Sequence, residues 1–200
     1  MSTPAERAAT WPEPVPGAEL LERAVGYTRT SLMLAVSADP AARTPCERWD
    51  LLALLRHMDD SLAAFTDAAE IGYVDLAPVV GADPAARIVQ RLKTRACALL
   101  AAWTQHPGPG MVAVGDRALR SDLLAAAGAL EIAVHGWDVA QACGVDRPLP
   151  AALGLDLLDV LPLLVHDADR PVRFADPVDV PLHSRPSTRL LAVLGRVAIR

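Results

Sequence analysis

With 200 residues, the chain is long enough to form one domain that buries roughly 70% of its unfolded surface, so a real hydrophobic core is expected. Its hydrophobic share of 52% comes mainly from Ala, Leu and Val, with only 4% aromatic residues, a composition suited to close-packed helices and poorly suited to a β-sandwich. The formal charge of −5, with arginines scattered among Asp and Glu, excludes a basic nucleic-acid footprint, and no apolar run reaches the ~20 residues expected of a membrane span.

The lead, residues 1–16, is polar and Pro-rich and lacks the charged start and apolar middle of a signal peptide, so a cytoplasmic protein is expected, as a monomer or homodimer. A first helix is predicted over 17–37, where Leu20, Leu21, Ala24, Val25, Thr28, Leu32 and Ala35 fall near helical spacing before the Asp39-Pro40 break. Thr44-Pro45-Cys46-Glu47 reads as an entry into a second helix that runs from about 49 to about 71 on Leu51, Leu54, Leu55, Met58 and Leu62. Residues 72–81 are a connector. A third helix opens at Pro84 and continues on Ile88, Leu92, Leu99 and Trp103 to about His106, where Pro107-Gly108-Pro109-Gly110 stops it.

The alternation at 111–114 is strand-like, and a fourth helix follows from 119–121 to a Gly144 stop. Pro148 and Pro150 open a fifth helix, kinked at Pro162, that reaches about His166. The tail, 169–200, is predicted to hold two short extended segments, 171–174 and 178–181, then a turn or two of helix over 188–195. The fold class is therefore all-α, a helical body over 17–168 with a short C-terminal extension.

Glu131 and His135 are four apart on the fourth helix, so their side chains project from adjacent turns of one face. His57 lies within the second helix among Leu54, Leu55 and Met58. Two imidazoles and a carboxylate are a donor set that zinc, iron, nickel and cobalt accept, and three protein ligands leave a coordination position open. Depth agrees: at ~1.5 Å rise per residue His57 is roughly 12 Å from the start of its helix, and Glu131 and His135 roughly 12–18 Å from the end of theirs. The three reach one level if helices 2 and 4 are antiparallel, which requires a cross-bundle connection such as 72–81 could supply. By spacing alone, an ordinary helix-surface pair and a core histidine remain the alternative.

The stretch Thr44-Pro-Cys-Glu-Arg-Trp-Asp-Leu-Leu-Ala-Leu-Leu-Arg-His57 resembles the T-P-C-x-x-W-x-x-x-x-L-x-x-H signature of the mycothiol-dependent maleylpyruvate isomerase-like proteins, within the DinB-like metalloenzyme superfamily. Glu131-Ile-Ala-Val-His135-Gly-Trp-Asp138 is similar to their second signature, E-x-x-x-H-x-W-D, and Arg189 to Arg196 resembles the ending of many chains in that group. The resemblance implies a four-helix bundle holding a divalent ion, commonly zinc, on His57, Glu131 and His135, with mycothiol as a thiol co-substrate. A thiolate attacking an electrophilic carbon gives cis/trans isomerisation or S-transfer. The alternatives are a bundle that the ion merely staples together and an enzyme of the same fold working without thiols.

Around this set, Asp138 shares the face of His135 and is placed to orient its imidazole or accept a proton, with a solvated Asp as the alternative. Trp49 and Trp137 are expected to pack around the ligand helices. Arg87, Arg91 and Arg95 recur every four residues; their planar guanidiniums suit a carboxylate, making Arg87 and Arg91 candidates for cofactor binding unless the stripe is simply solvated. Cys46, Cys97 and Cys143 form no pairing motif and are expected as buried thiols. His106, His166 and His183 read as surface residues. No G-x-G-x-x-G, Walker or G-x-S-x-G motif is present.

Overall fold

The computed structural model describes residues 16–46, 48–74, 83–105, 110–114, 117–171 and 173–199. Among them are six α-helices: α1 (Gly17–Ala35), α2 (Leu51–Ile71), α3 (Ala85–Gln105), α4 (Ser121–Ala142), α5 (Ala151–Leu164) and α6 (Pro186–Val193). Each expected helix is present, with ends displaced by a few residues. The Thr44-Pro45 entry is a separate turn and not the first turn of α2, which Asp50 caps by accepting the Ala53 N–H at 2.8 Å. α4 gives way at Gly144, whose φ of 71° is the left-handed conformation that ends a helix cheaply only at glycine.

The tail does not form strands. Residues 171–174 and 178–181 pair into no sheet among the described residues, Val172 lying outside them; Pro171, Pro177 and Pro181 remove the N–H donors a ladder needs, and the Val178 N–H is taken by the Ala192 carbonyl. The sheet lies elsewhere: β1 (Tyr73–Val74), β2 (Met111–Val114) and β3 (Arg117–Arg120), with β1 parallel and β3 antiparallel to β2. The strand-like alternation at 111–114 is its centre.

That sheet fixes the helix directions. β1 follows α2 at once, β2 follows α3, and β3 runs directly into α4, so one end of the bundle holds the ends of α2 and α3 and the start of α4. Contacts along the helices agree. A Cβ on Gly128 would touch Phe65, Ser61 reaches Glu131, and His57 reaches Glu131 and His135, a descending register that makes α2 and α4 antiparallel. Gly17 lies against Asp122 and Thr28 against Ile132 and Gly136, so α1 and α4 run parallel. The connection crossing the bundle falls between α2 and α3, where 75–82 lie outside the described residues.

α1 packs on α4 and α3, and α2 packs on the same two, giving the order α1, α4, α2, α3 around the core. Leu20, Leu21, Leu54, Leu55, Ile88 and Leu92 are buried there, each contributing about 1.5–3 kcal/mol relative to exposure. By length and composition α4 would suffice to cross a bilayer, which the absence of a long apolar run did not suggest, but 83% of that stretch is buried inside the bundle. Gly136 sets the α1–α4 spacing. Any Cβ there would overlap Thr28, whose hydroxyl donates to the Ile132 carbonyl at 2.8 Å.

Candidate metal centre

One donor atom from each of His57, Glu131 and His135 lies within 4.8 Å of the other two. His57 Nε2 is 2.5 Å from Glu131 Oε1, and His135 Nε2 is 3.3 Å from the same oxygen. The antiparallel register of α2 and α4 brings them together, and the four-residue spacing of Glu131 and His135 sets them on one face. Ser61, one turn after His57, donates to Glu131 Oε1 at 3.2 Å and steadies the carboxylate.

His135 is oriented from behind. Its Nδ1 lies 2.8 Å from Asp138 Oδ2, which holds the Nδ1 proton and turns Nε2 toward His57 and Glu131. Asp138 is fully buried, so the solvated alternative for this residue does not hold. Arg196, from the segment after α6, places Nη2 3.4 Å from Asp138 Oδ2 and neutralises a carboxylate that would otherwise be costly to bury. Asp138 Oδ1 accepts no hydrogen bond among the described residues, which leaves the carboxylate's hold on His135 and Arg196 to one oxygen.

Trp49 covers the outer side. Its ring centroid is 4.4 Å from that of His57 and 5.7 Å from that of His135. The turn before α2 sets it: the Thr44 hydroxyl lies 2.9 Å from the Cys46 carbonyl and 2.8 Å from the Trp49 carbonyl, tying both ends of the turn together. Trp137, by contrast, is core.

Electrostatics fit a cation. Burial works against charge on His135, but Glu131 and Asp138 outweigh it and push the imidazole up to about 10. Burial likewise opposes charge on Glu131, yet His135 and then His57 hold it well below the usual carboxylate range. Positive charge is thus favoured at this spot, and two imidazoles with one carboxylate match the preferences of zinc and its borderline neighbours.

Glu131 also lines a cavity of about 550 Å³, walled by Val25, Leu32, Met58, Leu62 and Ile132. The arginines proposed from sequence do not reach it. Arg91 Nε is 2.6 Å from Asp59 and its Nη1 2.7 Å from Asp83, Arg95 Nε is 3.2 Å from Asp59, and Arg87 is exposed beside Asp83. Asp59, almost fully buried, needs those cations.

No family model, curated protein or solved structure matches the chain. Among the remaining candidates, Cys46 and Cys143 are partly buried, burial pushing the Cys143 thiol up. Cys97 is exposed, contrary to the buried thiol expected, because it lies on the face of α3 that borders the cavity opening. His166 and His183 are exposed as expected, and His106 lies outside the described residues. Ser61 and Arg196 were missed. The four-residue offset from His57 would have pointed to Ser61, whereas nothing in local spacing joins Arg196 to Asp138.

Proposed function

We propose that this chain is a divalent-metal-dependent enzyme that uses a low-molecular-weight thiol, mycothiol by its sequence resemblance, for S-transfer to, or isomerisation of, a small electrophilic substrate. The convergence of His57, Glu131 and His135 beside a cavity of about 550 Å³, which Glu131 alone of the three lines, carries the reading. An ion that only staples α2 to α4 needs no such space, and cavities of roughly 300–1,000 Å³ are the usual size for small-molecule sites. The antiparallel α2–α4 pair and the placement of both sequence signatures around one donor set support a DinB-like bundle, with zinc as the expected ion and nickel or iron as substitutes.

A bound divalent cation would supply Lewis acidity and lower the pKa of an approaching thiol, so that the nucleophilic thiolate is available near neutral pH. The chain's own residues do the rest. Asp138 keeps the proton on His135 Nδ1, so Nε2 is the donor, and Ser61 holds the rotamer of Glu131. Trp49 packs against the His57 ring and leaves it partly open on that side, and the apolar cavity walls keep water from competing for the substrate carbon.

Zinc-loaded protein given mycothiol and a panel of activated alkenes and alkyl electrophiles should yield an S-conjugate, seen by mass spectrometry, or an isomer, seen by chromatography. His135→Ala should lose metal and product together. Product at an unchanged rate from metal-stripped protein, or unchanged metal content in His135→Ala, would refute the assignment.

A further inference from the structure

The cavity crosses the bundle from one seam to the opposite one. Glu131 and Ser61 line it on the α2–α4 side, whereas Arg29 and Met33 of α1 and Lys93 and Cys97 of α3 line it on the far side. Exposure grades these residues: Leu32, Met58, Leu62 and Ile132 are buried, Ser61 and Glu131 at one end and Lys93 at the other are half-buried, and Arg29, Met33 and Cys97 are exposed. The passage therefore has apolar walls, the half-buried carboxylate of the candidate metal centre at one end and two cations at the other, more open end.

Those cations lack anionic partners. Lys93 Nζ sits 2.8 Å from Met33 Sδ, a neutral and weak acceptor, and Arg29 makes no hydrogen bond or ion pair among the described residues. Arg91 and Arg95, on the same helix as Lys93, are instead taken up by Asp59 and Asp83. In a chain with 24 acidic residues to 19 basic ones, the opening is flanked by cations that none of the described carboxylates neutralises. Such a mouth attracts anions.

We propose that the cavity binds a small organic acid with an apolar body, its carboxylate held at the mouth by Arg29 and Lys93 and its far end presented to Glu131. The inference rests on the catalytic reading of the site and names its electrophilic substrate by class. Orientation follows from desolvation: apolar walls and the Glu131 carboxylate disfavour a second carboxylate at the Glu131 end, while the mouth offers water and two cations. His57 stays 35% exposed and lies outside the cavity lining, so a polar thiol has its own approach along the Trp49 side.

Octanoate and its uncharged counterpart 1-octanol test this on the full, zinc-loaded chain, with affinity read by calorimetry and alkylation of Cys97 by iodoacetamide read by peptide mass spectrometry. Octanoate should bind about tenfold more tightly than 1-octanol and, at saturation, slow alkylation of Cys97 about tenfold while Cys46 and Cys143 react as before. Arg29→Gln/Lys93→Gln should bring octanoate to within about threefold of 1-octanol, leaving 1-octanol binding and zinc content unchanged. Equal binding of the two probes, a preference that survives the double variant, or an unprotected Cys97 would overturn the inference. Zinc content of the same samples separates the two readings. Protection of Cys97 in protein that holds no zinc supports the cavity assignment and removes the metal reading, whereas zinc binding without protection overturns the cavity assignment alone.

Discussion

Before metal arrives, His135 carries a proton at neutral pH, because Glu131 and Asp138 outweigh its burial and push its pKa up to about 10. Ligation requires a neutral imidazole, so metal binding must expel that proton. Glu131, held well below the usual carboxylate range, is already ionised and releases none. About 3 pH units separate pH 7 from a pKa of about 10, and at 1.36 kcal/mol per unit the proton lowers the apparent metal-binding free energy by about 4 kcal/mol at pH 7. Apparent affinity should then rise about tenfold per pH unit, or about 100-fold from pH 6.5 to 8.5. Calorimetry of zinc into stripped protein, run in two buffers of different ionisation enthalpy, reads both quantities, and His135 should contribute about one proton per zinc. Affinity that stays flat across the window with no proton delivered to buffer would refute the reasoning, since His135 would be neutral beforehand or not a ligand. Folding responds with the opposite sign. A pKa raised from 6.5 to about 10 stabilises the metal-free fold fully below about 6.5 and is lost as pH climbs toward about 10, so the Tm of stripped protein should fall between those values.

Four further outcomes follow from the geometry. With Co(II) in the site, mycothiol should add an intense near-ultraviolet sulfur-to-metal band that its S-methyl analogue does not, as absorption spectra will report. Glu131→Gln should lose metal on dialysis, whereas Asp138→Asn should keep it but bind roughly 10- to 100-fold more weakly, because it acts through His135. Arg196→Met leaves the buried Asp138 with one fewer partner and should lower stability by roughly 1–3 kcal/mol in urea titrations. Gly136→Ala forces a Cβ into Thr28 and should cost roughly 1–3 kcal/mol, with part of it recovered in combination with Thr28→Ala.

What could be read from the sequence was what is local. Leu and Ala at helical spacing marked five helices, and four residues between Glu131 and His135 gave a shared face whatever the surroundings. His57 was joined to them by its depth along the helix and by the signature it closes, and the depth argument held because α2 and α4 are antiparallel and of nearly equal length. The sheet was half hidden: Arg117-Ala-Leu-Arg120 has little strand character, and its pairing is imposed by β2. The role of the arginine stripe was not legible because the buried Asp59 claims Arg91 and Arg95 from another helix, more than 30 positions away in sequence. Arg196 was beyond reach for the same reason, its contact with Asp138 spanning 58 positions.

The parallel packing of α1 on α4 also bears on how the chain reaches this state. In an up-and-down bundle each helix meets its sequence neighbour, so contacts are local and folding is fast. Here Thr28 meets Ile132 across 104 positions, and His57 meets Glu131 across 74. Closing a loop of that size instead of a ten-residue one costs about 2 kcal/mol more entropy before any contact repays it. Individual helices form within about a microsecond, but the core that α1 shares with α4 must wait for the far half of the chain. The protein should therefore fold at the pace of a mixed α/β domain despite its helical content, with α1 left as an unpartnered amphipathic helix until α4 arrives.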